Sequence, residues 1–191
     1  MSGSLLAAFA AAAVGISAQQ SLVEGPTESK VRVLIYEDLA CPDCAAFRQM
    51  MDEKLLPSYT ARVAFVHRDF PLAKHAWARR AAMAARYFAG IKPELGLAYR
   101  RHIMATIPQT TMANFNEHLS QFARENGADP KPALAALDDQ RLGALVERDF
   151  QDGVARGVSK TPTVFVGGKA FVESFSVEEI SQAIDDALAG N

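Results

Sequence analysis

The alternation of apolar and polar positions divides the chain into three stretches. Residues 31–36 (Val-Arg-Val-Leu-Ile-Tyr) are nearly all apolar, as expected of a strand covered on both faces. Residues 62–68 (Arg-Val-Ala-Phe-Val-His-Arg) predict a second strand. The segment between them reads as a helix over 45–51 that Pro57 prevents from continuing. Strand, helix and strand at this spacing predict a right-handed βαβ unit with parallel strands. From there to residue 156 the period is helical. Trp77, Ala81, Ala84, Ala85 and Phe88 share one face, with Arg79, Arg80 and Arg86 off it. Pro93 opens a helix carrying Leu95, Leu97, Tyr99 and Ile103. Residues 112–124 repeat the pattern with Phe115, Leu119 and Phe122, and Asn126-Gly127 supplies a stop. Residues 130–137 and 142–154 are two further helical segments. At this spacing the aromatic residues, Trp77 included, read as core.

Strand signals return after Gly157. Residues 163–166 and 169–172 flank Gly167-Gly168 and predict an antiparallel hairpin. Ser176 with Glu179 three positions on is a capping box, followed by an apolar stripe of Val177, Ile180, Ile184 and Leu188. The pattern therefore predicts an α/β core interrupted by a helical insertion. Its first half spans 28–71, the insertion 72–156 and the second half 157–191.

A length of 191 residues, 49% of them hydrophobic, fits one such domain. A net charge of −2 leaves no footprint for nucleic acid. Residues 1–20 stand apart. Leu5 to Ala18 is an Ala-rich apolar run followed by Gln19-Gln20, which reads as a secretory export segment, although Met1-Ser2-Gly3-Ser4 lacks the usual basic residue. The alternative is an ordinary apolar helix; the run is too short for a membrane span. Export would place the chain where disulfides persist.

The candidate chemistry is at Cys41-Pro42-Asp43-Cys44, between the first strand and its helix. Pro42 suits the first helical turn, where its missing N–H costs nothing. Cysteines three apart lie on one helical face, and the helix N-terminus favours a thiolate. This predicts a nucleophilic Cys41 and an inner partner, Cys44. A structural staple is the alternative, but a bridge over so short a loop stabilises little. A metal site needs about four ligands. The chain has only these 2 cysteines, and its 4 histidines show no ligand spacing near them.

Thr161-Pro162 directly precedes the third strand, a position where proline is permitted. Cys41-Pro42-Asp43-Cys44, Arg68-Asp69-Phe70-Pro71-Leu72, His75 with the Ala-rich helix behind it, and the run from Gly157 to Val166 together resemble the DsbA-like thiol–disulfide oxidoreductases of the thioredoxin superfamily. The resemblance covers residues 30 to 190. It implies a thioredoxin-like fold, a cis Thr161–Pro162 bond beside the cysteines, and a Thr161 hydroxyl near Cys41. It also implies that the backbone before Pro162 receives a substrate peptide as an extra strand. Pro42, Asp43, Thr161 and Pro162 would tune the site. Two departures stand out. Asp43 occupies a position where strongly oxidising members carry His, and an anion there disfavours the thiolate unless solvent screens it. The buried acid that thioredoxin-like proteins often carry in the preceding strand is replaced by Ile35, leaving Glu37 or Asp38 as substitutes if neither is a loop or capping residue.

The resemblance implies a monomeric dithiol oxidase of the periplasm or cell envelope, with the Cys41–Cys44 disulfide and no dissolved cofactor. It would act on unfolded exported proteins and be recharged by a membrane-bound partner. The alternatives are a reductase or isomerase of the same fold, a non-catalytic peptide-binding module, or a glutathione-dependent transferase, whose sites usually lack CxxC.

Overall fold

The computed structural model describes residues 22–190. The expected export segment lies outside these residues. A five-stranded mixed sheet runs in the order β1-β3-β2-β4-β5. Its strands are β1 (Leu22–Glu24), β2 (Arg32–Glu37), β3 (Ala64–Asp69), β4 (Thr163–Val166) and β5 (Lys169–Val172). Strands β2 and β3 are parallel, with Ile35 opposite His67 and Glu37 opposite Asp69. The predicted hairpin is present over its expected residues. Its turn needs positive φ at Gly167 (56°) and Gly168 (85°), which glycine adopts without steric cost.

Strand β1 is an addition to the sequence reading. It pairs antiparallel with β3 and covers that strand's outer edge. Three residues are too few to show a period. The proline at 57 is also accommodated differently from expectation. Helix α1 (Pro42–Met50) runs into a wide turn over Met51–Leu55, where the Leu56 N–H bonds the Met51 carbonyl five residues back. Helix α2 (Leu56–Tyr59) follows with Pro57 in its first turn, where a missing donor is tolerated.

Five helices join β3 to β4: α3 (Ala78–Ile91), α4 (Pro93–Ala105), α5 (Phe115–Glu125), α6 (Pro130–Ala135) and α7 (Gln140–Ala155). Phe88, Tyr99 and Phe122 form a mutual aromatic contact at their centre, with centroids 5.0 Å apart. Trp77 stacks on Phe115, the core role its spacing implied. This cluster also packs Leu39 and Ala40, so the helical layer buttresses the loop that carries Cys41. Helix α7 packs instead on the sheet. Its Gly153 leaves no room for a side chain, since a Cβ there would come within 2.7 Å of the Phe70 ring. Helix α8 (Val177–Ala189) begins with the complete Ser176–Glu179 capping box and packs Ile180 and Ile184 into the sheet's core.

Arg86, expected off the apolar face of its helix, is buried, and so are Glu37, His67, Asp69, Arg100 and Asp149. Arg100 donates to Glu37 at 2.8 Å and to Asp69 at 2.6 Å. Arg86 joins Asp69, at 2.6 Å, to Asp149. His67 bridges Glu37 (2.7 Å) and Glu24 (2.9 Å). Glu24 also binds Arg48 and Arg101. Every one of these buried charges thus meets an opposite one, the condition under which burial of ions is tolerated.

Candidate active site

The end of β2 and the start of α1 set the two cysteines. Cys41 is the N-cap residue, in extended conformation, and Pro42 opens the helix. The Cys41 N–H bonds the Asp38 carbonyl at 3.1 Å, closing the turn. Both cysteines are free thiols. The Thr161–Pro162 bond is cis, and the Thr161 carbonyl accepts from the Cys41 thiol at 3.6 Å. The four residues of the CxxC turn and the Thr161–Pro162 pair therefore form one site.

The environment separates the two sulfurs. The Cys41 thiol is held down at about 6. The Cys44 thiol donating to it is the largest cause; it outweighs burial and is helped by the Cys44 backbone N–H, Thr161 and the Asp43 backbone N–H. The last of these is a free N–H of the first helical turn, so the helix N-terminus acts as the sequence implied. Cys44 is pushed up well above the ordinary range, chiefly by burial and by the neighbouring Cys41. Alkylation of the reduced protein is expected to rise with a midpoint near pH 6 and to modify Cys41 alone at pH 7, as resolved by peptide mass spectrometry. A midpoint at an ordinary thiol value, or equal labelling of both residues, would contradict this reading.

Cys41 is only 4% exposed. The Thr161 carbonyl faces the thiol, and the buried side chain of that residue, whose hydroxyl has no other partner, helps hold the Cys41 thiol down. Glu37 closes β2 and Asp38 opens the loop after it, and both are buried, at 2% and 1% exposed. The Asp38 carboxylate accepts from Ala40 N–H (2.8 Å) and Leu72 N–H (2.7 Å) and lies 2.8 Å from His75 Nδ1, while its own N–H donates to Cys44 Sγ at 3.4 Å. His75, noted in sequence only as part of a motif, thus joins the site's support. Asp43 is exposed, with its side chain in solvent.

The sheet, the helical layer and the paired cysteines facing a cis-proline define a thioredoxin-type architecture. The chain belongs to the thioredoxin family, whose model matches residues 17–186. Its fold is shared with α-DsbA1 of Wolbachia pipientis, at a TM-score of 0.78 and 16% identity over 89% of this chain and 92% of that one. Among curated relatives, it is 30% identical over 177 residues to the Na(+)/H(+) antiporter NhaA 3 of Salinispora tropica, covering 92% of this chain and 26% of that protein. It is 27% identical over 173 residues to a Rickettsia prowazekii protein named as a protein-disulfide oxidoreductase, covering 87% of this chain and 61% of that protein. The chain thus spans only about a quarter of the antiporter it matches. Among the described residues no helix is long and apolar enough to cross a membrane.

Proposed function

We propose that the chain is a thiol–disulfide oxidoreductase that introduces disulfides into exported proteins through the Cys41–Cys44 pair. The observation that carries this is the split between the sulfurs: one thiol held at about 6 at a helix N-terminus, the other buried and pushed up. A stabilised Cys41 thiolate is a good leaving group and favours the reduced pair, which makes the disulfide an oxidant. The name of the Rickettsia relative supports the same chemistry.

A substrate thiolate attacks Cys41 in the disulfide and displaces the Cys44 thiolate. A second substrate thiolate then attacks the substrate sulfur of the mixed disulfide, and Cys41 leaves as a thiolate. Pro162, which has no N–H, leaves the preceding backbone free to pair with the substrate chain. A redox partner at the membrane accepts the two electrons and restores the disulfide. The export-like run from Leu5 to Ala18 supports a place in the cell envelope.

Equilibration with glutathione tests the direction of electron flow. The expected potential lies above the roughly −270 mV of a reducing thioredoxin and below the about −120 mV of the strongest oxidants of this type. A value at or below the thioredoxin figure would make the chain a reductase. Oxidative refolding of a reduced, denatured substrate provides the parallel activity readout.

A further inference from the structure

Helix α1 has two faces beyond the cysteines. One carries Phe47, which packs into the sheet's core and meets Phe175 at 5.2 Å between ring centroids. The other is open. Pro42, Ala46, Gln49 and Glu53 follow one another along it at helical spacing, and all four are exposed. They line a groove of about 770 Å³ whose near end is Pro42, the residue after Cys41. Across it stand Met104, at the end of α4, and Ile107 and Pro108, in the short turn over Ile107–Gln109. Met104 belongs to the apolar cluster of the helical layer, and Ala45 and Ile107 pack against that cluster. The groove is thus where the cluster reaches the surface next to the reactive sulfur, and the small side chains at 45 and 46 keep it open up to Pro42. The far end is charged. Arg48 and Arg101 there are already paired with Glu24 and Asp52. Glu53 accepts from the neutral Gln49 amide at 2.8 Å and meets no cation among the described residues.

We infer that this groove receives the stretch of substrate polypeptide on one side of the reacting cysteine, and that it selects an apolar side chain followed by a basic one. The inference rests on the thiol–disulfide reading above and adds to it which thiols react fastest. The order of the walls sets the order of the residues. Apolar surface lies near Cys41, and the carboxylate of Glu53 lies at the far end. A rise of about 1.5 Å per residue puts Ala46 roughly 6 Å and Glu53 roughly 16 Å along the helix from Pro42. An extended substrate advances about 3.3 Å per residue. The apolar side chain therefore falls about two positions from the substrate cysteine and the basic one about five. A chain that has not yet folded suits this surface, because it still exposes the apolar side chains that its own core will later bury. The groove's two arginines do not oppose a basic residue, since each already has its carboxylates.

The test is acid-quenched reduction of the oxidised protein by excess single-cysteine peptides, with reduced protein counted by mass spectrometry. Two peptides are consumed per disulfide. The first thiolate displaces Cys44 from Cys41; the second attacks the peptide sulfur of the mixed disulfide, and Cys41 leaves as a thiolate. Each rate is divided by that peptide's rate with glutathione disulfide, which removes differences between the peptide thiols, and the readout is a ratio between peptides. A peptide with Leu two and Lys five positions to one side of its cysteine is expected to react about tenfold faster than one with Ser at both. It should also react about threefold faster than a Leu–Glu peptide at low salt, and this second ratio should fall to near one at about 1 M salt, which needs no substitution to measure. Ala46→Trp fills the groove and should bring the first ratio to near one, and Glu53→Lys should invert the second. A first ratio under about twofold in the unaltered protein, or a second ratio insensitive to salt, overturns the inference. So does a first ratio kept in Ala46→Trp and lost in Phe175→Ser, which moves the subsite to the other face of α1. A dimer that Ala46→Trp dissociates in sedimentation, with both ratios unchanged, gives the groove to a second copy and overturns it too. If no peptide reduces the oxidised protein, the oxidoreductase reading fails and this inference with it; equal rates for all peptides overturn the inference alone.

Discussion

Cys41→Ser is expected to abolish oxidation of a reduced substrate, a loss of at least ~10³-fold, because serine cannot take up or release electrons as a sulfur does. Cys44→Ser is expected to lose oxidase turnover as well, but differently. Its Cys41 thiolate, held at about 6, still attacks disulfides at neutral pH and then has no inner thiol to release it. Mixed disulfides should therefore accumulate on Cys44→Ser and be absent from Cys41→Ser, as seen on non-reducing gels after acid trapping. Unaltered activity in both variants would remove the scheme entirely, and mixed disulfides on Cys41→Ser would reverse the roles of the two cysteines.

The largest expected effect on stability is at Arg100, in the buried charge network. Arg100→Met removes the guanidinium that pairs with both Glu37 and Asp69 in the core. Breaking a buried pair from one side leaves the carboxylates uncompensated and costs about 3–5 kcal/mol. For a chain of this size that is on the order of 10 °C in Tm. Differential scanning calorimetry measures it, and a change under about 1 kcal/mol would mean that water or rearrangement compensates the charges. The pH dependence has a definite sign. Burial pushes the Glu37 carboxyl up, but Arg100 and His67 outweigh it and hold it at about 2, below its ordinary 4.5. Its contribution is therefore complete above pH 4.5 and is lost as the pH falls towards 2. His67 is raised, because Glu37 and Glu24 overcome the burial that would lower it. Its contribution is complete below 6.5 and is lost as the pH rises through its higher folded value.

The parts of this molecule that are legible from sequence are those whose signal is local. The hairpin over 163–172 and the capping box at Ser176 each lie within a few residues, and each is present as read. The CxxC turn is also local, since a strand, a proline and a helix fix it in sequence order. The charge network was not legible. Glu24, Glu37, His67, Asp69, Arg86, Arg100 and Asp149 come from separate strands and helices, and in sequence each is one more polar position. Arg86 shows why. Helical spacing removes it from the apolar face correctly, yet the face it occupies meets Asp69 and Asp149 in the interior. Asp38 was ambiguous for a related reason, because its partners Leu72 and His75 are more than thirty residues away.

Glu24 gives the outermost strand a significance out of proportion to its three residues. A single carboxylate there holds Arg48 of the redox helix, Arg101 of the helical layer and His67 of the neighbouring strand. It works as a latch across three pieces of the molecule, beside the Asp52 carboxylate that also joins Arg48 to Arg101. A protease cutting before residue 22 would leave that latch closed, whereas one cutting after Glu24 would strand two arginines and a histidine without their shared counter-ion. The boundary for a shortened yet intact form of this protein is therefore set by one side chain.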